Sequence, residues 1–198
     1  MKNLFFISGP QGAGKTTLLE KISGPDIIFP DVQLIRSKFD TSPEFRIQLK
    51  ICQRAIENFC YYNIANQNPE KTVIGNRCIY DQLVFDEVYV KLGWITEDYR
   101  KKLDESSQLF YHPNLINPNV IILNPGFDVV KRHLEERWIK KGKKWKEDNE
   151  EYVRLACEGY EKYKDKDNVL YIDHEINLER KEEFESTIEW LRKMARFK

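Results

Sequence analysis

The stretch Leu4-Phe5-Phe6-Ile7-Ser8-Gly9-Pro10-Gln11-Gly12-Ala13-Gly14-Lys15-Thr16 decides the reading of this chain. Leu4 to Ile7 is short and continuously apolar, which predicts a strand buried on both faces. Gly9 to Thr16 fits G-x-x-x-x-G-K-[ST], and Lys15 to Ile22 predicts a helix ended by Ser23-Gly24-Pro25. Strand, glycine turn and helix start together make an anion cradle. Glycines let successive backbone N–H groups turn toward one phosphate and let it approach the main chain. The helix N-terminus adds its positive dipole end. Lys15 is placed to reach β- and γ-phosphates, and the Thr16 hydroxyl to ligate Mg²⁺. The expected ATP-binding set is Gly9, Gln11, Gly12, Ala13, Gly14, Lys15, Thr16 and Thr17, with Thr16 as the metal ligand.

Outward from this loop, short apolar runs alternate with helical periodicity. Strands are expected at Ile27 to Phe29, Thr72 to Ile74, Asn119 to Leu123 and Val169 to Ile172. Thr41 or Ser42 can cap a long helix, with Pro43 in its first turn and Glu44 completing a capping box. Phe45, Leu49, Cys52, Ile56, Phe59 and Cys60 recur every three or four residues along it, which predicts one buried face. Further helices are expected over 79–92, from Thr96, and over 127–141, 147–163 and 178–196. Strands alternating with helices imply a five-stranded parallel sheet covered on both faces, an α/β fold. No repeat or linker interrupts residues 1–198, so one domain is expected.

The chain has 198 residues, with 32 Lys+Arg against 32 Asp+Glu. This balance argues against an overall electrostatic grip on nucleic acid or an anionic membrane. The four cysteines form no C-x-x-C pair, which disfavours a zinc ribbon or a redox motif. No apolar stretch approaches the ~18 residues of a membrane span. A soluble, cytoplasmic protein with reduced thiols is the expectation.

Several nucleotide-dependent classes are disfavoured. The D-x-x-G and N-K-x-D pair of a GTP switch is missing. A motor or transporter ATPase needs a strand ending in Asp or Glu, but the third strand ends Ile74-Gly75-Asn76 and the fourth Leu123-Asn124-Pro125. A small-molecule kinase remains. The segment Asn76-Arg77-Cys78-Ile79-Tyr80-Asp81, continuing through Val84-Phe85 to Gly93, resembles the deoxynucleoside kinases. Gly12 to Leu18 (G-A-G-K-T-T-L) is similar to the loop of the related thymidylate kinases. The resemblance implies phosphoryl transfer from ATP to a (deoxy)nucleoside or its monophosphate. It also implies Mg²⁺ beside the phosphates, and a homodimer through helices beside the sheet. The family's acidic residue before the arginine is Asn76 here, and Asp81, a turn on, is a candidate to take its part.

Candidate roles follow. Asp31 succeeds the second strand at the sheet edge that faces ligand, where the resembling kinases carry an acidic residue; it is the candidate base for a hydroxyl acceptor. Its alternative is a loop aspartate capping Gln33. Arg36 is placed to meet a monophosphate. Arg77 is a candidate to hold an acceptor phosphate or the transferring group, the alternative being a surface ion pair. Gln48 and Phe45 are candidates for pairing with and stacking on a nucleobase, as a helical glutamine does in the resembling kinases; Gln48 facing solvent is the alternative, and Arg46 and Arg54 on the same helix are further candidates of this kind. Arg132 and Arg137 are candidates for an arginine-bearing lid over 132–147, with Lys140, Lys141, Lys143 and Lys144 as solvated surface. Two other functions stay open: a kinase of nucleic-acid ends, from the basic run around Gly142, and a binding module without transfer, from Asn76.

Overall fold

The computed structural model describes residues 3–30, 32, 42–143, 146–177 and 180–196. Among them are five strands: β1 (Leu4–Ser8), β2 (Ile27–Ile28), β3 (Thr72–Asn76), β4 (Asn119–Leu123) and β5 (Val169–Ile172). All pair in parallel, in the order β2-β3-β1-β4-β5. The helices are α1 (Lys15–Ile22), α2 (Pro43–Gln67), α3 (Ile79–Lys91), α4 (Glu97–Phe110), α5 (Phe127–Lys141), α6 (Glu150–Tyr160) and α7 (Lys181–Arg196).

Strand β1 explains why both faces are covered. Successive side chains of a strand point to opposite faces. Phe5 packs edge-on against Trp190 of α7, and Phe6 against Tyr61 of α2. Every residue of β1 and β4 is buried. The chain leaves β1 on one side for β2 and β3 and returns on the other for β4 and β5. The crevice at the carboxyl end of β1 is therefore the topological switch point where ligands settle in open α/β sheets. Gly75 fixes the approach of α2: a Cβ there would lie 2.5 Å from Tyr61 Cδ2.

Helix ends follow local chemistry. Ser42 caps α2, its hydroxyl accepting from Phe45 N–H, and Thr96 does the same for α4 at Tyr99. Expected boundaries held closely for β4, β5, α1 and α5. Three differ. β2 is a two-residue, half-buried edge strand. The expected helix over 147–163 is α6 followed by a 3₁₀ turn over Glu161–Tyr163. Helix α7 begins at Lys181, and Leu178, the expected start, lies outside the described residues.

The expected buried face of α2 is corrected. Phe45, Ile56 and Phe59 are 50, 53 and 51 % exposed, whereas Ile47, Ile51, Tyr61 and Ala65 are at most 3 % exposed. The helix carries two apolar stripes with the same period, and periodicity alone cannot choose the one that meets the sheet. Truncating Ile51 to Ala should cost about 2–5 kcal/mol in urea unfolding. Ile56→Ala at low protein concentration should stay within about 0.5 kcal/mol. Equal losses at the two positions would contradict this orientation.

Candidate functional site

A cleft of about 1030 Å³ opens at the carboxyl end of β1. The loop between β1 and α1 forms its floor, α2 and α3 one wall, and α5 with the start of α6 the other. The loop has the backbone its glycines predict. Gly9 has φ +133°, and a Cβ there would sit 2.1 Å from the Leu123 carbonyl oxygen. Lys15 Nζ donates to the carbonyls of Gly9 (2.8 Å) and Pro10 (2.6 Å). Burial, reinforced by the charges of Arg77, Arg137 and Arg54, holds the Lys15 ammonium well below the usual lysine range. Gln11 Nε2 donates to Tyr152 of α6 at 3.1 Å. The Thr16 side chain is exposed at the first turn of α1 and lines the cleft beside Thr17.

Arg77 is held from several directions. Its φ of 68° is left-handed, an uncommon and costly conformation for a residue other than glycine. The main chain is pinned there: Arg77 N–H donates to Ile7 O (2.8 Å), and Asn58 Nδ2 of α2 donates to Arg77 O (3.1 Å). The guanidinium donates to Asp81 Oδ1 at 2.7 Å and lies 5.4 Å from the centre of the Phe85 ring.

Asp81 is the centre of this arrangement. Its Oδ1 also accepts from Tyr160 of α6 (2.7 Å). Its Oδ2 accepts from Ser8 Oγ at the end of β1 (2.6 Å) and from Cys78 N–H (2.9 Å). The last contact closes the capping box of α3. The four donors occupy the lone-pair directions a carboxylate offers. Burial alone would push the Asp81 carboxyl up; Arg77, Arg54 and the hydrogen bonds hold it below its ordinary range. Asp81 thus positions Arg77 and the strand ends, and both its oxygens are spoken for.

Other expected residues scatter. Arg137 lines the cleft and pairs with Glu147. Arg132, five residues earlier, is on the flank, donating to Glu175 at 2.5 Å. Phe45 and Gln48 lie outside the cleft wall: Phe45 is exposed, and Gln48 donates to Tyr99 of α4. The same two-stripe ambiguity explains this, since the face of α2 that lines the cleft carries Arg46, Ile47, Lys50 and Arg54. Asp31 and Arg36 lie outside the described residues, as does Lys144. Asn76 ends β3 exposed, its carbonyl accepting from Arg54 at 2.8 Å.

The structure adds residues that the sequence reading passed over. Lys50 faces the cleft and donates to Gln53 (2.9 Å); burial and the charges of Arg46 and Arg54 lower its pKa. His133 of α5 sits between two acceptors, Gly12 O and Glu175 Oε1, each at 2.8 Å. Gln82, Phe85, Asp86 and Tyr89 continue the wall begun by Arg77. Their signal in the sequence was their spacing: they recur at three or four residues along the helix that starts beside Arg77.

Among the described residues no cluster of three or more His, Cys, Asp or Glu side chains could hold a metal, and no helix is long and apolar enough to cross a membrane. All four cysteines are free, and burial pushes the Cys78 thiol up to about 12, so it stays protonated.

Asp81→Asn keeps the shape but turns one acceptor into a donor that faces existing donors. It should cost about 3–5 kcal/mol in urea unfolding. The folded-state pKa is depressed, so this stabilisation is complete above the ordinary carboxylate value near ~4 and is lost as pH falls through the lower folded value. The stability gap between wild type and Asp81→Asn should therefore narrow on acidification below pH ~4. A constant gap would contradict an ionised Asp81.

No protein-family model matches the sequence, and no curated protein sequence matches it significantly. Solved structures do match. Deoxyadenosine kinase from M. mycoides with bound dATP superposes with a TM-score of 0.68 at 17 % identity, covering 96 % of this chain and 99 % of that one. The same enzyme with bound dCTP gives 0.59 at 15 % identity, and with dCMP and a flexible dCDP 0.58 at 17 %, each with the same coverage. The chain has the fold of these deoxyadenosine kinases over nearly its whole length.

Proposed function

We propose that the chain transfers the γ-phosphoryl group of ATP to a (deoxy)nucleoside or a (deoxy)nucleoside monophosphate. One observation carries the proposal. Lys15 of the glycine loop, Arg77 at the end of β3 and Arg137 of α5 are near enough in one cleft for the two arginines to depress the lysine. Cations that disfavour one another at a phosphate cradle are stabilised when a polyphosphate enters between them. The fold shared with deoxyadenosine kinases, solved with dATP, dCTP and dCMP, supports nucleotide chemistry at this cleft.

In this reading the loop N–H groups and Lys15 hold the β- and γ-phosphates. Arg77, locked by Asp81, offers fixed positive charge to the transferring group without reorganising at the moment of reaction. Arg137 adds charge from the segment 132–147, which acts as the lid. Arg132 steadies that segment through Glu175. Asp31 remains the proposed base for a hydroxyl acceptor and Arg36 a contact for an acceptor phosphate. Thr16 fits a Mg²⁺ that arrives with the triphosphate: its hydroxyl is exposed on the cleft, while Asp81 has no lone pair to spare and Asn76 is neutral. The ion would add charge neutralisation there, with Thr16 as its protein ligand. A cytoplasmic setting fits free thiols and ATP.

A coupled ADP-release assay with ATP and Mg²⁺ against nucleosides, monophosphates and a short oligonucleotide tests the proposal. One nucleoside or monophosphate should stimulate release. Lys15→Met should lower turnover by about 10²-fold or more with the fold intact. Asp31→Asn should lose turnover and keep ATP binding. ATP binding with no transfer to any acceptor would sink the proposal.

The exposed stripe Phe45, Leu49, Ile56 and Phe59 also supports a homodimer through α2. The wild type should run at dimer mass in light scattering, and the double variant Ile56→Lys, Phe59→Lys at monomer mass. A monomeric wild type would end this part of the reading.

A further inference from the structure

Beyond Arg77 on the same wall, Gln82 and Asp86 stand one turn apart on α3 and both line the cleft. Gln82 Nε2 donates to Asp86 Oδ1 at 2.5 Å. The other Asp86 oxygen, Oδ2, is buried with no hydrogen-bond partner, and so is Oδ1 of Asp104 on α4. The two carboxyls lie within hydrogen-bonding reach of each other. Two ionised carboxylates at that range repel, and neither oxygen can donate. A single proton between Asp86 Oδ2 and Asp104 Oδ1 satisfies both orphaned atoms. The remaining negative charge is met by Arg100, whose Nη1 donates to Asp104 Oδ2 at 2.6 Å.

The surroundings agree. Burial pushes the Asp86 carboxyl up to about 7, with the Gln82 hydrogen bond opposing and the Asp104 charge reinforcing. Burial raises Asp104 as well. The other ionisable groups facing the pair are Glu97 of α4, Glu87 and Tyr89 of α3, Tyr111 after α4, and Lys162 after α6. Lys162 is paired with Glu87, so Arg100 is the cation nearest the two aspartates among the described residues.

This proton has a consequence for Gln82. With the proton on the far oxygen, Asp86 Oδ1 is an acceptor, and only the amide N–H can face it. Turning the amide would set carbonyl against carboxyl oxygen. Moving the proton to Oδ1 would orphan Asp104 again. The Gln82 carbonyl is thereby left over; it has no partner among the described residues, and Gln82 lines the cleft. Ile47, Phe85 and Tyr89 supply apolar wall beside it.

We infer that Asp104 and Asp86 are positioning residues that pin the Gln82 amide with its carbonyl toward the acceptor, so that the cleft selects a nucleobase with an amino group at purine C6 or pyrimidine C4 over one with a carbonyl there. Gln82 touches the base; the two aspartates act through it. That the bound nucleoside is a phosphoryl acceptor rests on the proposed transfer, but base selection can be measured without transfer.

Calorimetric titration without ATP tests the inference, using deoxyadenosine, deoxycytidine, deoxyguanosine, thymidine and their 5′-monophosphates. The wild type should bind the adenine and cytosine ligands roughly tenfold or more tightly than the guanine and thymine ones, as expected when a keto oxygen meets an unyielding carbonyl. Asp86→Asn, which can present either an acceptor or a donor to Gln82, should collapse that ratio to within about threefold. Asp104→Asn donates to Asp86 Oδ2 without needing the shared proton and should keep the ratio. It should also flatten a pH dependence. The folded pair holds a proton that the unfolded chain releases near pH ~4, so wild-type stability should fall as pH rises from ~4 to ~7. That fall in melting temperature should shrink in Asp104→Asn. Equal or tighter binding of guanine and thymine ligands, no binding of any of them, or an unchanged ratio in Asp86→Asn would overturn the inference. An unchanged pH slope in Asp104→Asn would overturn the shared proton. Failure of ATP-dependent transfer alone would count against the preceding proposal and not against this one.

Discussion

A buried carboxylate with four donors around it organises this molecule. Asp81 joins the end of β1 through Ser8, the start of α3 through Cys78, the Arg77 guanidinium, and α6 through Tyr160. Its charge is costly to bury and tolerable only because every lone pair is used. This dependence runs both ways. Arg77 keeps a left-handed backbone, which its surroundings must over-determine, and the Asp81 carboxylate is one of the groups that do so. The neutral Asn76 then fits. A carboxylate beside Arg77 would compete with Asp81 for the same guanidinium, whereas Asn76 contributes its backbone carbonyl to Arg54.

Features encoded locally were legible in the sequence. The glycine loop, the short apolar strands and the capping residues each act within a few positions, so their residues alone predict them. The parallel sheet followed from alternation of strand and helix. Features that depend on which partner an element meets were not legible. Helix α2 has two apolar stripes, and Phe45 and Gln48 were assigned to the cleft on the wrong one. Arg46 and Arg54, the further candidates on this helix, do line it from the adjacent face, together with Lys50. Arg132 and Arg137 differ by five residues, more than one helical turn, and α5 turns them to different sides. Asp81 was visible as an acidic residue near Arg77, but its role as a buried hub rests on Ser8 and Tyr160, which are distant in sequence.

The cleft is not uniformly basic. Lys15, Arg77 and Arg137 meet around the glycine loop, and Arg54, which also depresses Lys15, leans in from α2. Farther along α3 the wall turns apolar and aromatic, with Phe85 stacked near Tyr152 (centroids 6.0 Å) and Tyr152 on Trp94 (5.6 Å). A ligand with a polyanionic end and a flat apolar end matches that gradient. The chain's balanced net charge conceals it, because the excess of cations is confined to one end of one cleft.

Helix α3 carries two buried aspartates that solve the same problem in opposite ways. Asp81 has a guanidinium on one oxygen and stays ionised. Asp86, five residues on, has an amide on one oxygen and a carboxyl near the other, and its pKa rises to about 7. The difference follows from the neighbours each side chain meets. Near the phosphates an ionised Asp81 is affordable, because Arg77 and Arg54 outweigh it. Near the aromatic wall, a second full negative charge would lack a cation of its own, since Arg100 is already bonded to Asp104 and Glu97. Holding a proton there keeps the flat end of the cleft neutral while leaving a hydrogen-bonding edge with fixed polarity. One helix thereby supplies fixed charge to the end where phosphate is expected and a fixed dipole to the end where a base is expected.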